Sequence, residues 1–297
     1  MANSFRRISL IGKAEDPRVG DTMVALVDYL IEHDIEVAVD DRVGLDFPEV
    51  VQKLPQTSLV DGCELLVAIG GDGTMLYAAQ LVFEENVPLL GINRGRLGFL
   101  TDVSPDEMRE VFDDVLDGNY RRESRMLLEA RLVSGGAMKA RCIALNDAVV
   151  QRWQTGRILD FETLVNGDYV NTHGGDGIIV ATATGSTAYA LSGGGPIIQP
   201  ELDAMVLVPI CPHTLSDRPI VIRADSLVEV KLPPDPENRA QVTCDGRLLG
   251  ELTCEDRLLI RAAKQRVTMI HPPHHDYYKI LRSKLHWGRS GHRRRND

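Results

Sequence analysis

The sequence predicts an α/β N-terminal half, with a doubly wound and mostly parallel sheet, followed by an all-β, sandwich-like C-terminal half. Three observations carry this. Up to about residue 120, short apolar runs alternate with helical stretches. From about Met126 the helical spacing stops, and strand-like runs follow one another. The glycine-rich segment Gly70-Gly71-Asp72-Gly73-Thr74 stands where an apolar run passes into a helical pattern. Strand-helix-strand alternation calls for a parallel sheet, because a parallel connection needs a crossover.

In chain order, Arg7–Gly12 and Ile35–Asp40 read as strands, and Met23, Val24, Leu26, Val27, Leu30 and Ile31 make a broad helical face between them. Cys63–Ile69 and Val87–Ile92 lack alternation, the mark of strands buried on both faces. The helix between them is expected to start near Thr74 and to bury Met75, Leu76, Ala79, Val82 and Phe83. Ser104-Pro105-Asp106-Glu107 is a capping box with proline at the first helical position, ahead of Met108, Val111, Phe112, Val115 and Leu116. In the second half, Met126–Val133 and Met138–Leu145 flank the turn Ser134-Gly135-Gly136, and Ile158–Val165 turns through Asn166-Gly167 into a partner strand. Further strands are expected at Ile178–Ala183, Met205–Ile210, Pro219–Ile222, Leu227–Leu232, Gln241–Cys244, Arg257–Ala262 and Val267–Ile270. The expected division is 1–122 as the α/β domain, 123–272 as the β domain, and 273–297 as a segment returning to the first domain with a basic tail.

Composition excludes several classes. A chain of 297 residues with 43% hydrophobic and 26% charged residues has the make-up of a globular protein, and no apolar run approaches a membrane span. The N-terminus shows no secretory pattern, so a cytoplasmic location is expected. A net charge of −10 argues against a general nucleic-acid surface. Five scattered cysteines without a Cys-x-x-Cys pair are expected to be reduced and unpaired. The cluster Arg282, Lys284, Arg289, Arg293, Arg294 and Arg295 reads as a solvated terminus.

Gly70 to Thr74 can set a phosphate beside a carboxylate. Glycines expose backbone N–H groups, and a helix start adds partial positive charge. Asp72 is then an acid in an anion cradle, at the carboxyl edge of the sheet where open α/β folds bind ligands. The bland reading makes Asp72 a helix cap, but capping does not call for three glycines. A second cluster, Thr182 to Pro196, offers hydroxyls, glycine N–H groups and Tyr189 to a nucleotide, with Gly174-Gly175-Asp176-Gly177 just upstream. Asn146-Asp147 pairs a donor with an acceptor and suits a ribose or a base edge. Cys244-Asp245-Gly246 reads as a hairpin turn, and His271-Pro272-Pro273-His274-His275-Asp276 lacks the spacing of a zinc site.

These segments together resemble the NAD kinase family, bacterial type, over nearly the whole chain. The resemblance rests on Gly70–Thr74, on Gly91-Ile92-Asn93-Arg94-Gly95-Arg96-Leu97-Gly98-Phe99-Leu100-Thr101, on Asn146-Asp147, on Thr184-Gly185-Ser186-Thr187-Ala188-Tyr189, and on Pro212–Ser216 with Arg218-Pro219. The glycine motif alone is shared with lipid kinases and phosphofructokinases; the others are more specific. The resemblance implies transfer of the γ-phosphate of ATP, or of a similar donor, to the 2′-hydroxyl of the adenosine ribose of NAD, giving NADP. It implies that Asp72 accepts the hydroxyl proton and that Gly70, Gly71, Gly73 and Thr74 face phosphate. By the same matching, Asp72, Gly73, Asn146 and Asp147 meet NAD, and Thr187, Ala188, Tyr189, Ala190, Leu191 and Ser192 line its adenosine. Gly174 and Asp176 fall at the nicotinamide end, and Arg157 and Arg247 at further NAD contacts. A divalent metal, Mg²⁺, is implied, bound mainly through ATP, with no ligand named on the protein. A homodimer or homotetramer is implied, with no nucleic-acid or membrane partner.

The chain departs from the family pattern in Asp147 for glutamate, Gly175-Asp176-Gly177 for Ser-Asp-Gly, and Ala183 for proline. Gly174 stands where some relatives carry arginine, which suggests acceptance of NADH beside NAD. Two rivals are a lipid or sugar kinase sharing only the glycine motif, and a non-catalytic NAD-binding sensor. The first leaves Asn146-Asp147 and Thr184–Tyr189 unexplained, and the second leaves Asp72 without a purpose.

Overall fold

A computed structural model describes residues 4–12, 16–94, 98–153, 158–235 and 237–287. It divides into two compact units, one within Met1–Glu123 and Thr268–Asp297, the other Ser124–Val267.

In the first unit the strands are β1 (Arg7–Gly12), β2 (Glu36–Asp40), β3 (Gln52–Leu54), β4 (Leu65–Gly70) and β5 (Leu89–Asn93), ordered β5-β4-β1-β2-β3 and all parallel. The helices are α1 (Pro17–Glu32), α2 (Asp72–Val82) and α3 (Met108–Leu116). Alternate residues Leu65, Val67 and Ile69 of β4 and Leu90 and Ile92 of β5 share one core with Met23, Leu26 and Leu30 of α1 and Phe112 of α3. Side chains alternate across a strand, so Gly91 faces the other way, and its closest neighbour there is Met75 of α2. Helices thus cover both faces, which explains why β4 is buried at every position. One of the two hydrogen bonds of the expected capping box is present, the Glu107 N–H donating to Ser104 Oγ at 3.3 Å. Its turn precedes α3 rather than opening it, and the Glu107 carboxylate accepts from the Ser104 hydroxyl at 2.7 Å.

The second unit contains β7 (Ala137–Ala144), β8 (Asp147–Arg152), β9 (Leu159–Val165), β10 (Asp168–Gly175), β11 (Gly177–Thr182), α4 (Tyr189–Ser192), β12 (Ala204–Ile210), β13 (Ile220–Arg223), β14 (Val228–Lys231), β15 (Ala240–Cys244) and β16 (Arg247–Leu252). Strands β6 (Arg121–Ser134) and β17 (Asp256–His271) carry the chain from one unit to the other, and α5 (Tyr277–Leu285) follows in the first. One antiparallel sheet runs β13-β12-β11-β8-β15-β16. The other pairs β10 with β9, β9 with β14 and β14 with β17, while β6 and β7 form a hairpin. Met126, Leu128 and Phe161 meet Val150, Val180 and Leu207 in a sandwich core. The other face of the six-stranded sheet, Val149, Ile179, Ala181 and Val206, is covered by Ala183, Ala190 and Ile198. The segment Thr184–Ser192 is therefore held on a buried surface, and it folds as a 3₁₀ turn (Thr184–Thr187) followed by α4.

Three expectations are corrected. Arg257–Ala262 and Val267–Ile270 are one strand, because backbone pairing continues where Lys264 and Gln265 interrupt the apolar pattern. Strands β3, β8 and β16 were not foreseen. Cys142 and Cys244 are joined as a disulfide, 102 residues apart in sequence, while Cys63, Cys211 and Cys254 are free. Sheet packing brings these two together, a proximity that spacing along the chain does not report. The turns Asn166-Gly167 and Asp245-Gly246 have φ of 55° and 88°, and 46° and 77°, the left-handed pairs of tight hairpins.

Candidate active site

Helix α2 starts at Asp72, two residues earlier than expected, with Gly71 as its N-cap and no side chain capping it. The Asp72 carboxylate turns away from its own helix. It accepts backbone N–H groups of Phe99 at 3.3 Å and Leu100 at 3.1 Å. That excludes the capping reading and leaves the first N–H groups of α2 for an outside anion. Neither Gly70, Gly71 nor Gly73 has a left-handed φ. A Cβ at Gly70 would collide with Thr74 Oγ1, whereas one at Gly71 or Gly73 would meet nothing within 4 Å. The last two glycines thus bare backbone toward open space. Gly98 is needed for a different reason, since a Cβ there would strike Asp72 Oδ1.

In the second unit, Asn146 and Asp147 form the entry to β8 and are gripped by Asp245. Its carboxylate accepts the N–H groups of Leu145 at 2.8 Å, Asn146 at 2.8 Å and Asp147 at 3.1 Å. Burial pushes both acids upward. Asp147, with burial as the main cause and the Asp245 charge second, reaches about 7. Asp245 is raised by burial, against which its three N–H donors and Arg247 act. The Asn146 carbonyl touches Gly185 so closely that any Cβ there would overlap it. Thr182 donates to the Leu145 carbonyl at 2.6 Å and accepts the Gly185 N–H at 2.9 Å, tying the Asn146-Asp147 pair to the Thr184–Ser192 segment.

Along that segment, Thr187 donates to the Thr184 carbonyl at 3.2 Å, Ala188 and Leu191 are half-buried, and Ser192 is exposed. Ala190 is fully buried in the core, and Tyr189 is exposed with its hydroxyl accepting from Gln151 at 2.9 Å. Asp176 pairs with Arg152 at 3.2 Å, and the Gly174 carbonyl accepts the His213 N–H at 2.8 Å. Arg247 opens β16 beside Asp245. Arg157, together with Gly95–Leu97 of the second motif and Arg289, Arg293, Arg294 and Arg295, lies outside the described residues. Asp245 is the residue that sequence reasoning missed as more than a turn former, because a left-handed aspartate before glycine is fully explained by the hairpin.

Among the described residues, one group in the first unit brings metal-ligating atoms within 4.8 Å of one another: Asp102, His271 and His275. Each histidine presents Nδ1 to the same Asp102 oxygen, at 2.9 and 2.5 Å, which are hydrogen-bond distances. The rings stack, 4.0 Å between centroids and 27° between planes, so both Nδ1 atoms reach that one oxygen from the same side. Burial would raise Asp102, but the two imidazole hydrogen bonds outweigh it and hold the carboxyl well below the usual range. The arrangement is a hydrogen-bonded clamp on Asp102.

Comparison with known proteins supplies the family. The ATP-NAD kinase N-terminal domain matches residues 8–120, and the ATP-NAD kinase C-terminal domain matches residues 145–272. The NAD kinase of Methylococcus capsulatus is 44% identical over 287 residues, covering 97% of this chain and 99% of that protein. That of Nitrosococcus oceani is 43% identical over 290 residues, covering 97% and 99%. Among solved structures, yeast NADH kinase complexed with NADH superposes with a TM-score of 0.89 at 25% identity, covering 97% of this chain and 89% of that one. An NAD kinase from Archaeoglobus fulgidus in complex with ATP gives 0.69 at 25% identity, covering 94% and 97%. With both domain models matched in order and relatives above 40% identity along nearly the full length, the chain belongs to the NAD kinase family.

Proposed function

We propose that Asp72 accepts the proton of the acceptor hydroxyl in this phosphotransferase, whose family acts on the 2′-hydroxyl of NAD. Phosphoryl transfer asks a protein mainly for positioning and charge neutralisation. As the ribose oxygen bonds to the γ-phosphorus, the bond to the leaving nucleoside diphosphate breaks and the hydroxyl proton passes to Asp72. The observation that carries this is the grip of Phe99 and Leu100 on the Asp72 carboxylate, which fixes it without consuming the N–H groups of α2. Those groups, over Gly71 and Gly73, are then the site for the donor's phosphates.

On the same reading Asn146 and Asp147 hold the ribose of NAD. Tyr189 stacks on a base, with Thr187, Ala188, Leu191 and Ser192 beside it, and Asp176, Gly174 and Arg247 bind further along the dinucleotide. Buried Ala190 contributes through its backbone. The family uses a divalent metal, for which we propose Mg²⁺. Backbone N–H donors and a single carboxylate at Gly70–Thr74 suit an ion carried on phosphate oxygens, where it offsets their charge. No helix of the described residues is long and apolar enough to cross a membrane. A cytoplasmic location fits enzymes that draw on ATP and NAD. A homodimer or homotetramer is supported by the exposed apolar residues Trp153, Ile158 and Leu248 of the second unit.

The rival readings, a sensor or a lipid or sugar kinase, are not favoured by relatives that are NAD kinases along their whole length. Asp72→Asn is expected to lower kcat by ~10²-fold or more while NAD binding, measured by calorimetry, stays within about twofold. Near-normal turnover in that variant removes Asp72 from the role.

A further inference from the structure

We propose that His271 and His275 are positioning residues for Asp72, acting through Asp102 and the backbone of residues 98–102. This rests on the reading of Asp72 given above. The residues involved all belong to the first unit.

The link can be followed bond by bond. Asp72 is aimed by the N–H groups of Phe99 and Leu100. That turn is closed by the Gly98 N–H donating to the Thr101 carbonyl at 3.1 Å, and it is pinned to β5 by the Asn93 N–H donating to Val103 at 2.7 Å. Asp102 lies between these two points, and among the described residues of its own segment none holds its side chain. His271, at the end of β17, and His275, in the turn before α5, hold it instead.

The histidines are themselves fixed. The His275 N–H donates to the Pro272 carbonyl at 3.0 Å, and the His275 carbonyl accepts from Arg121 at 3.0 Å. Asp276 caps α5 by accepting the N–H groups of Tyr278 at 2.9 Å and Lys279 at 3.0 Å. On the side away from Asp102, each Nε2 faces the Glu123 carboxylate, at 3.6 Å for His271 and 3.8 Å for His275, and Arg121 stands 3.7 Å from the same carboxylate.

Both imidazole side chains and both carboxylates are at least nine-tenths buried. Apolar side chains of similar volume stabilise a fold as well as such a cluster does. What the cluster adds is direction: it fixes Asp102, and hence the N–H groups of Phe99 and Leu100, three and two residues before it, in one place. A carboxylate that must meet a hydroxyl at hydrogen-bond distance is sensitive to such placement.

The experiment uses the full-length enzyme. His275→Ala is expected to lower kcat about tenfold with the KM for NAD unchanged within about twofold. His275→Asn, whose amide can donate from near the Nδ1 position, is expected to restore most of that loss. In an Asp72→Asn background, His275→Ala is expected to cost nothing further, because its effect passes through a carboxylate already removed. Equal losses in the Ala and Asn variants, a change confined to KM, or a full tenfold further loss in the Asp72→Asn background each overturn the inference. Normal turnover of His275→Ala beside a crippled Asp72→Asn overturns the inference alone, whereas near-normal turnover of Asp72→Asn overturns the reading beneath it. NAD binding by calorimetry certifies the fold of each variant. Should His275→Ala fail that check, the nearly isosteric Asp102→Asn is read by the same criteria.

Discussion

Asp72 and Asp245 are two carboxylates held by the same device in different settings. Each is gripped by backbone N–H groups of a segment distant in sequence, two for Asp72 and three for Asp245. Asp72 is half-buried at the start of a helix, beside glycines whose backbone faces open space. Asp245, half-buried as well, sits next to a buried acid, Asp147. The N–H grip sets direction in both cases, and the surroundings decide the use. Asp72 stands beside open backbone, whereas Asp245 braces backbone and disturbs the protonation of its buried neighbour.

Removing the Asp72 carboxylate has the largest effect expected, and the remaining tests probe the two settings more finely. Gly98→Ala leaves the acid in place but pushes against it. It is expected to lower kcat roughly tenfold or more while NAD affinity holds, because a 1 Å displacement is costly at a reacting centre. Unchanged kcat there would show that the close fit between Gly98 and Asp72 is of no consequence. In the other setting, Asp147 titrates near 7 when folded and near 3.8 when unfolded. The folded state therefore keeps a proton that the unfolded chain releases, and stability falls as pH rises from about 4 through about 7, then levels. Asp147→Asn is expected to remove that part of the slope, so that thermal melts of variant and wild type diverge in the variant's favour toward pH 8. Parallel curves across the range would count against the raised value. The smallest effect concerns Gly174, where initial rates on NAD and NADH are expected to differ by less than about a hundredfold. Gly174→Arg, placed 3.1 Å from Asp160 at its Cβ, is expected to widen the gap toward NAD.

The pattern of legibility follows from the range of the interactions. Alternating strands and helices before residue 120, and strands after Met126, were readable because hydrophobic period is a local property. The hairpin turns Asn166-Gly167 and Asp245-Gly246 were readable for the same reason. The Cys142–Cys244 pair, the continuity of β17 through Lys264 and Gln265, and the helical form of Thr184–Ser192 depend on partners far along the chain.

The sequence by itself determined the two-part fold class, the family, and the position of Asp72 in an N–H-rich turn, since motif spacing and apolar periodicity are written in neighbouring residues. Only the tertiary structure decided what holds each acid: the turn at Phe99 and Leu100 for Asp72, the bracing of Asn146-Asp147 by Asp245, and the histidine clamp on Asp102. Each of these joins segments from 27 to 173 residues apart. Burial and hydrogen-bond direction exist only once the chain has closed on itself, and no local pattern encodes them.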